Sequence, residues 1–256
     1  MRRIQGLIVA LLLLVGIMPF QPALADGGDF SIDFAAARPG TYDQAAGTGG
    51  QYGDGSNTFV VESLEGGDFT CGDRIVYFAA VTVDAGAPLQ NIEIDFSFDS
   101  TPTGGGNAGF DDLELAILNM GDPGNTVALN LDSVPEIMTQ TAPGTDPHLA
   151  TVRITNLEGG ERFILRLVAR LTCPEPDEPD NGNVQARVLA ARVIFPAGEA
   201  DAINVGSQTV PLKAPGNVVQ VLPTISVVKT AAPLTLPAPG GTFTFTVGIT
   251  NTSDED

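Results

Sequence analysis

Five side chains that carry hard oxygen atoms cluster within one short stretch of the C-terminal half of the chain. They are Asp177, Glu178, Asp180, Asn181 and Asn183. Carboxylate and amide oxygens are the ligands that Ca²⁺ prefers, and Gly182 supplies a position at which the chain can turn, although the spacing differs from that of the EF-hand loop. The stretch is therefore a candidate calcium site. A solvated acidic loop is the alternative.

The two cysteines, Cys71 and Cys173, form the second candidate group. An even number of cysteines in an exported chain favours a disulfide. The bridge would close a loop of about a hundred residues, which the chain-entropy model values at roughly 4–5 kcal/mol. Two free, buried thiols are the alternative. Two isolated cysteines and one histidine are too few for a zinc site.

Nucleophilic catalysis with a histidine base would require His148, since the chain has no other histidine. It follows Asp146-Pro147 in a predicted loop, and no Gly-x-Ser-x-Gly elbow accompanies it. The pattern therefore predicts a surface histidine and no enzyme. Paired carboxylates of a hydrolase stay open as a third hypothesis. The absence of tryptophan and the low count of three tyrosines leave little aromatic surface for stacking on a sugar.

The N-terminus has the pattern of a secretory signal peptide in residues 1–25. Arg2 and Arg3 precede the apolar run Leu7–Met18, and Ala23-Leu24-Ala25 provides small residues for cleavage before Asp26. An uncleaved membrane anchor is the alternative, but the abrupt change to acidic sequence argues against it. No later stretch is long and apolar enough to span a bilayer. We expect a secreted or envelope-displayed protein without a membrane span in the mature chain.

The net charge narrows the range of partners. The formal charge is −19 and the isoelectric point is about 4.1. Such a chain is repelled by nucleic acid and by anionic lipid, so neither is expected as a partner. High acidity also favours solubility on a crowded or salty exterior.

Alternation of apolar and polar residues at period two predicts the elements that position these groups. In Thr151–Cys173 two alternating runs flank Glu158-Gly159-Gly160-Glu161, the pattern of a β-hairpin. Ile75–Val83 is apolar on both faces, which indicates a central strand covered on both sides. Asn91–Asp99 alternates cleanly between a core face and a wet face.

The rest of the first 222 residues consists mainly of short predicted strands separated by Gly- and Pro-rich turns. Arg38–Asn57 is expected to be a long loop. Val134–Met138 is expected to form one helical turn that begins at Asp132 or Ser133. Thr126–Leu131 and Val218–Leu222 are further candidate strands. The pattern predicts an all-β, immunoglobulin-like sandwich over residues 26–222.

The last thirty or so residues carry a motif of their own. Ile225–Pro233 contains Val-Val-Lys-Thr followed by a proline-rich turn, Pro239–Val247 begins Pro-Gly-Gly-Thr, and Thr250–Ser253 reads Thr-Asn-Thr-Ser. These segments resemble the DUF11 repeat family of bacterial and archaeal surface domains. The resemblance implies an immunoglobulin-like module, often in tandem, with a structural or adhesive role. It transfers no catalytic residue.

Taken together, these patterns predict three regions. Residues 1–25 are a signal peptide, 26–222 a disulfide-bonded sandwich, and 223–256 the beginning of a truncated DUF11-like repeat, because two strands alone cannot bury a core. The predicted function is structural or adhesive, with an unknown surface or matrix partner and further repeats of the same chain. The alternative is a calcium-dependent ligand-binding module, with carbohydrate as one class of ligand.

Overall fold

The computed structural model describes residues 30–52, 59–100, 108–117, 134–142, 145–172, 182–195, 200–206, 208–220, 225–232, 235, 238–242 and 244–251. Apart from two short 3₁₀ turns, Gly66–Asp68 and Pro215–Asn217, the regular structure in these residues is β. Within the same ranges, no helical segment has the length and apolar character of a membrane span.

The described residues form sixteen strands, numbered in chain order. They are β1 (Phe30–Ala37), β2 (Tyr42–Asp43), β3 (Thr48–Gly49), β4 (Val60–Val61), β5 (Leu64–Glu65), β6 (Arg74–Val83), β7 (Gln90–Phe98), β8 (Phe110–Ile117), β9 (Val134–Gln140), β10 (His148–Leu157), β11 (Arg162–Leu171), β12 (Val184–Ile194), β13 (Ala200–Ile203), β14 (Thr209–Lys213), β15 (Ile225–Ala232) and β16 (Thr244–Asn251).

Two sheets make up the main body. The first sheet has the order β4-β1-β6-β11-β8, and the second has the order β5-β14-β12-β7-β10-β9, with β13 beside β12. The strand pairs within them are antiparallel except for β14 with β5. The inner faces of the two sheets meet over one continuous core of buried apolar side chains. The prediction of an all-β, immunoglobulin-like sandwich is therefore confirmed.

A cluster of aromatic rings joins the two sheets at the centre of this core. Tyr77 of β6 stacks on Phe34 of β1, with ring centroids 5.7 Å apart, and meets Phe98 of β7 edge-on at 5.5 Å. Phe110 of β8 lies edge-on to both Tyr77 and Phe98. Offset and edge-to-face contacts of this kind add about 0.5–1.5 kcal/mol each beyond the area that the rings bury.

The predicted hairpin at Thr151–Cys173 is wrong, because its two strands belong to different sheets. β10 pairs with β7 and β9, whereas β11 pairs with β6 and β8. The Gly-Gly turn docks on the end of β6, where Gly160, at φ +88°, donates from its N–H to Val83 O over 3.1 Å. The chain thus crosses the thickness of the sandwich, so that the apolar faces of the two strands face each other. The alternation of apolar and polar residues is the same in a hairpin and in a crossing between two sheets, so it cannot distinguish them.

The segment predicted as a long loop, Arg38–Asn57, is a cover over the outer face of the first sheet in its described part, residues 38–52. Val76 and Phe78 of β6 point outward yet are fully buried. Tyr52 meets Phe78 edge-on at 6.0 Å. A Cβ added at Gly50, whose φ is +79°, would lie 3.1 Å from Phe78 Cζ. This third layer is why β6 is apolar on both faces, as the sequence indicated.

Two other expectations are corrected. Val134–Met138 is not a helical turn, because it lies within strand β9, which pairs with β10. Val218 and Val219 are not in a strand: the 3₁₀ turn ends before them, and Val219 forms only an isolated bridge with Thr70. The candidate strand Thr126–Leu131 lies outside the described residues.

The C-terminal strands β15 and β16 form a separate two-stranded antiparallel sheet. The register places Val227 opposite Ile249 and Lys229 opposite Val247. Every large apolar side chain of this hairpin is more than half exposed: Ile225, Val227, Val228, Phe245, Val247 and Ile249. The described residues of the hairpin thus bury none of these side chains, and a lone two-stranded hairpin is marginally stable in water.

Candidate functional site

A row of alternating charges runs across the outer face of the second sheet. Glu136, Arg153, Glu93 and Arg192 lie opposite one another on β9, β10, β7 and β12. Arg153 Nε donates to Glu93 Oε1 over 2.8 Å, and Arg192 Nε donates to Glu93 Oε2 over 2.7 Å. Both oxygens of Glu93 are therefore paired. Opposite charges on directly paired strands stabilise that pairing.

The row continues toward the other end of β7. Arg192 also donates to Asp95 Oδ2 over 2.7 Å, and Thr151 donates to Asp95 Oδ1 over 2.6 Å. Further along, Arg187 of β12 forms an ion pair with Asp99. Three arginines are thus paired with three carboxylates, Glu93, Asp95 and Asp99, and these six charges cancel.

Glu93 lies on the face that the alternation predicted to be wet, but it is only 7% exposed. Burial by itself raises the pKa of its carboxyl group, and the hydrogen bonds from Arg153 and Arg192 more than compensate, so the pKa of Glu93 is lowered. The reverse holds for Asp99, where burial raises the pKa despite the pairing with Arg187. These carboxylates are occupied by arginines, so their arrangement favours a structural role over acid–base chemistry.

A shallow groove of about 370 Å³ lies on the outer side of β1 and β4. Its lining includes Asp33, Arg38 and Glu62 with the short apolar strand Val60–Val61. Asp33 accepts a hydrogen bond from the Tyr52 hydroxyl, and Arg162 lies over the Tyr52 ring at 5.9 Å from its centroid. Tyr52 is itself buried, so the groove presents no aromatic platform for a sugar.

The candidate calcium residues lie at the N-terminal approach to β12. Asn183 is exposed and directly precedes that strand, and Asp177, Glu178, Asp180 and Asn181 lie outside the described residues. Among the residues that are described, no three His, Cys, Asp or Glu side chains are grouped so as to hold a metal ion. The calcium site stays a prediction.

The candidate disulfide involves one described residue. Cys71 is half-buried and packs against the edge of the core, while Cys173 lies outside the described residues. The neighbouring backbones are joined: Gly72 N donates to Leu171 O over 3.0 Å, and Leu171 N donates to Asp73 O over 2.8 Å. The end of β11 therefore lies beside the segment that carries Cys71. The pairing of Cys71 with Cys173 stays a prediction.

The expectation of a surface histidine is wrong. His148 is the first residue of β10, is 1% exposed, and lies opposite Phe98 of β7. Its ring nitrogens contact Gln140 Nε2 at 3.1 Å and Thr141 Oγ1 at 3.3 Å. Neither contact involves a nucleophile or an acid suited to catalysis. The histidine is thus a hydrogen-bonded part of the core.

Sequence reasoning missed the charged row and the histidine cluster. The row had a readable signal, because Glu93 and Asp95 of β7 and Asp99 just after it share one side of the alternating pattern. Their partners are Arg153, Arg187 and Arg192. Which arginine meets which carboxylate depends on strand order, and the predicted hairpin had the wrong order. The histidine cluster had no such signal, since Gln140, Thr141 and His148 form no known motif.

No protein-family model matches the chain, and a comparison with curated proteins finds no match. Among solved structures, the chain is similar to a cohesin module from a family 33 glycoside hydrolase of Clostridium perfringens ATCC13124. The TM-score is 0.35 at 9% identity, over 62% of this chain and 92% of that one. It is also similar to a family 123 glycoside hydrolase of Clostridium perfringens, with a TM-score of 0.28 at 7% identity, over 71% of this chain and 27% of that one. Likeness at this level identifies no function.

Proposed function

We propose that the chain is a secreted or cell-surface structural protein built of β-sandwich modules, with an adhesive or envelope role and no catalytic activity. The observation that supports this most directly is the exposed apolar face of the β15–β16 hairpin, which follows a sandwich with its own buried core. In the DUF11 family, which the C-terminal motif resembles, immunoglobulin-like surface modules often occur in tandem.

The hairpin face is proposed to pack against further strands of the same immunoglobulin-like module. Register and alternation place Val227, Phe245, Val247 and Ile249 on one face, together with Ile225. Burying side chains of this kind contributes about 1.5–3 kcal/mol each. Lys229 bends over the Phe245 ring, with Nζ 4.5 Å from its centroid, and so leaves the rest of this face apolar.

Export can be tested with the N-terminal segment. The full chain, expressed in a bacterial host, is expected outside the cytoplasm with Asp26 as its first residue. The Ala25→Lys variant should keep residues 1–25, whereas the Leu24→Ala variant should still be cleaved, because only the small residues of the Ala-x-Ala site are read. Recovery of the intact chain in the cytoplasm would contradict the proposal.

The structural role can be tested separately from export. Beads coated with the mature chain are expected to bind cell envelope material or a matrix polymer, and the protein is expected to hydrolyse no glycoside substrate. Glycosidase activity that is lost when a pair of facing carboxylates is changed to amides would favour the hydrolase hypothesis instead.

A calcium-dependent ligand-binding module is the second candidate. It is supported by the oxygen-rich approach to β12 and by the exposure of Asn183 at its end. In this function Asp177, Glu178, Asp180, Asn181 and Asn183 would bind Ca²⁺, and a ligand would bind only in its presence.

A further inference from the structure

The two borders of the sandwich are each bridged by a glutamine side chain that reaches the backbone of the opposite sheet. At one border, Phe34 N of β1 donates to Gln208 Oε1, next to β14, over 3.0 Å. At the other border, Gln140 Nε2 of β9 donates to Leu113 O of β8 over 2.6 Å. We call these the β1 seam and the β8 seam. The glutamine accepts at the β1 seam and donates at the β8 seam, and His148 belongs to the β8 seam.

The contacts at the β8 seam define the protonation state of His148. The Gln140 amide nitrogen has hydrogens to donate but no lone pair to offer, so at 3.1 Å from it the His148 Nε2 atom must be the acceptor. The ring therefore carries its proton on Nδ1, which faces Thr141 Oγ1 at 3.3 Å. Thr141 Oγ1 also accepts from Leu149 N over 2.9 Å. All these partners agree only if the imidazole is neutral.

A second proton on the ring would place an N–H at Nε2 directly against the Gln140 N–H₂ group. Rotating the amide to present its oxygen to His148 would turn the same oxygen toward Leu113 O, so the bond between the sheets would be lost in either orientation. We propose that His148 makes the β8 seam an acid-sensitive latch, in which protonation at Nε2 releases Gln140 from Leu113 and loosens the border between β8 and β9.

The surroundings of the latch contain other charged groups. Asp146 lies two residues before His148 and accepts a hydrogen bond from Ser100 N over 3.1 Å. On β7, His148 is opposite Phe98, and the next residue, Asp99, is paired with Arg187. On β8, Asp111 and Asp112 precede Leu113. Burial raises the pKa of Asp99, so variants without His148 are needed to separate the effect of the histidine from that of these carboxylates.

The neutral state of His148, from which the latch would open, can be tested directly. Because His148 is the only histidine, the imidazole nitrogen signals in a ¹⁵N NMR spectrum of the protein belong to it alone. At pH 7 we expect the neutral Nδ1–H tautomer. An Nε2–H tautomer or a charged ring at this pH would overturn the proposal.

Hydrogen exchange tests the opening itself with an internal control. The Leu149 amide donates to Thr141 Oγ1, which contacts His148, and is therefore the probe beside the β8 seam. The Phe34 amide donates to Gln208 and is the probe of the β1 seam. After correction for intrinsic exchange rates, the protection of Leu149 relative to Phe34 should fall between pH 7 and pH 5. The fall should be at most about tenfold per pH unit, as expected if the opening takes up one proton. An unchanged ratio between pH 7 and pH 5 would overturn the proposal.

Variants separate the latch from general acid destabilisation. His148→Gln should keep the ratio of the two protections constant between pH 7 and pH 5, and His148→Phe serves the same purpose if that variant folds poorly. Gln208→Ala should weaken the β1 seam at every pH and leave the fall at Leu149 intact. A pH-dependent ratio that persists without His148 would assign the effect to the carboxylates and reject the latch.

Discussion

Glu93 and Arg153 lie directly opposite each other on β7 and β10, and Arg153 Nε donates to Glu93 Oε1 over 2.8 Å. Arg192 of β12 binds the other oxygen of the same carboxylate. The ion pairs on the polar face of the second sheet therefore fix the register of β7, as the buried apolar side chains on the other face do. A one-residue slip of β7 would turn Glu93 into the core and separate it from both arginines.

The first prediction concerns this carboxylate. Glu93→Gln should lower the free energy of unfolding by about 1–2 kcal/mol, because it leaves two partly buried arginines without their shared counter-charge. Their side chains are about one-third exposed, so water screens part of the loss. Urea unfolding measures the change. The exposed Glu62→Gln is the matched control and should change stability by less than about 0.5 kcal/mol.

The difference between wild type and Glu93→Gln should also depend on pH. The folded state lowers the pKa of Glu93, so the contribution is present above the pKa of the unfolded chain, about 4.3, and is lost as the pH falls through the lower folded value. We expect a constant difference from pH 7 to about pH 5 and a shrinking one below pH 4. A difference that grows on acidification would contradict this account.

The second prediction compares two buried tyrosines. The Tyr77 hydroxyl is fully buried and has no hydrogen-bond partner among the described residues, whereas the Tyr52 hydroxyl donates to Asp33. Tyr77→Phe should therefore be neutral or stabilising by up to about 1 kcal/mol, since it removes an unpaired polar atom and keeps the ring stacked on Phe34. Tyr52→Phe should cost about 1 kcal/mol. Thermal unfolding of both variants measures the contrast, and equal losses would contradict it.

The third prediction concerns the cysteines. If Cys71 and Cys173 form a disulfide, intact mass should rise by two hydrogens on reduction, and reduction should lower the free energy of unfolding by about 2–4 kcal/mol. The double variant Cys71→Ser/Cys173→Ser should match the reduced protein and no longer respond to reductant. Two thiols that react with an alkylating reagent in the unreduced, unfolded chain would show that the bridge is absent.

The fourth prediction concerns calcium. Millimolar Ca²⁺ should raise the melting temperature of the mature chain, because binding to the folded state alone stabilises it by mass action. Asp177→Asn/Asp180→Asn should abolish the rise, and the control Asp201→Asn should keep it. The same rise with Mg²⁺ at equal ionic strength, or none with Ca²⁺, would favour a solvated acidic loop.

Residues 151–171 show what alternation predicts and what it leaves open. The alternation correctly identified Val152, Ile154, Phe163, Leu165 and Leu167 as core residues, all of which are buried. It failed to distinguish a hairpin from a crossing between sheets. The turn is bonded to the end of β6 rather than closing a ladder between β10 and β11. That distinction depends on residues some eighty positions earlier in the chain, which local pattern does not contain.

His148 shows the same limit for a single side chain. Its neighbours in sequence, Pro147 and Leu149, gave no indication that it is buried. The imidazole of His148 can be buried because Gln140 and Thr141, across the β9–β10 border, provide hydrogen-bond partners for both ring nitrogens. The alternating sequence of β7 likewise predicted a charged face. It did not predict that Glu93 on that face is buried beneath Arg153 and Arg192.

The amino-acid sequence by itself determined the fold class, most of the extended segments and most of the apolar side chains that enter the core, because alternation at period two reflects the pleat of a strand and needs no partner. Tertiary structure decided which strands share a sheet, which charges meet and which polar groups are buried. These features depend on contacts between segments that are far apart in the sequence. Such contacts stabilise the protein only once both sheets have formed.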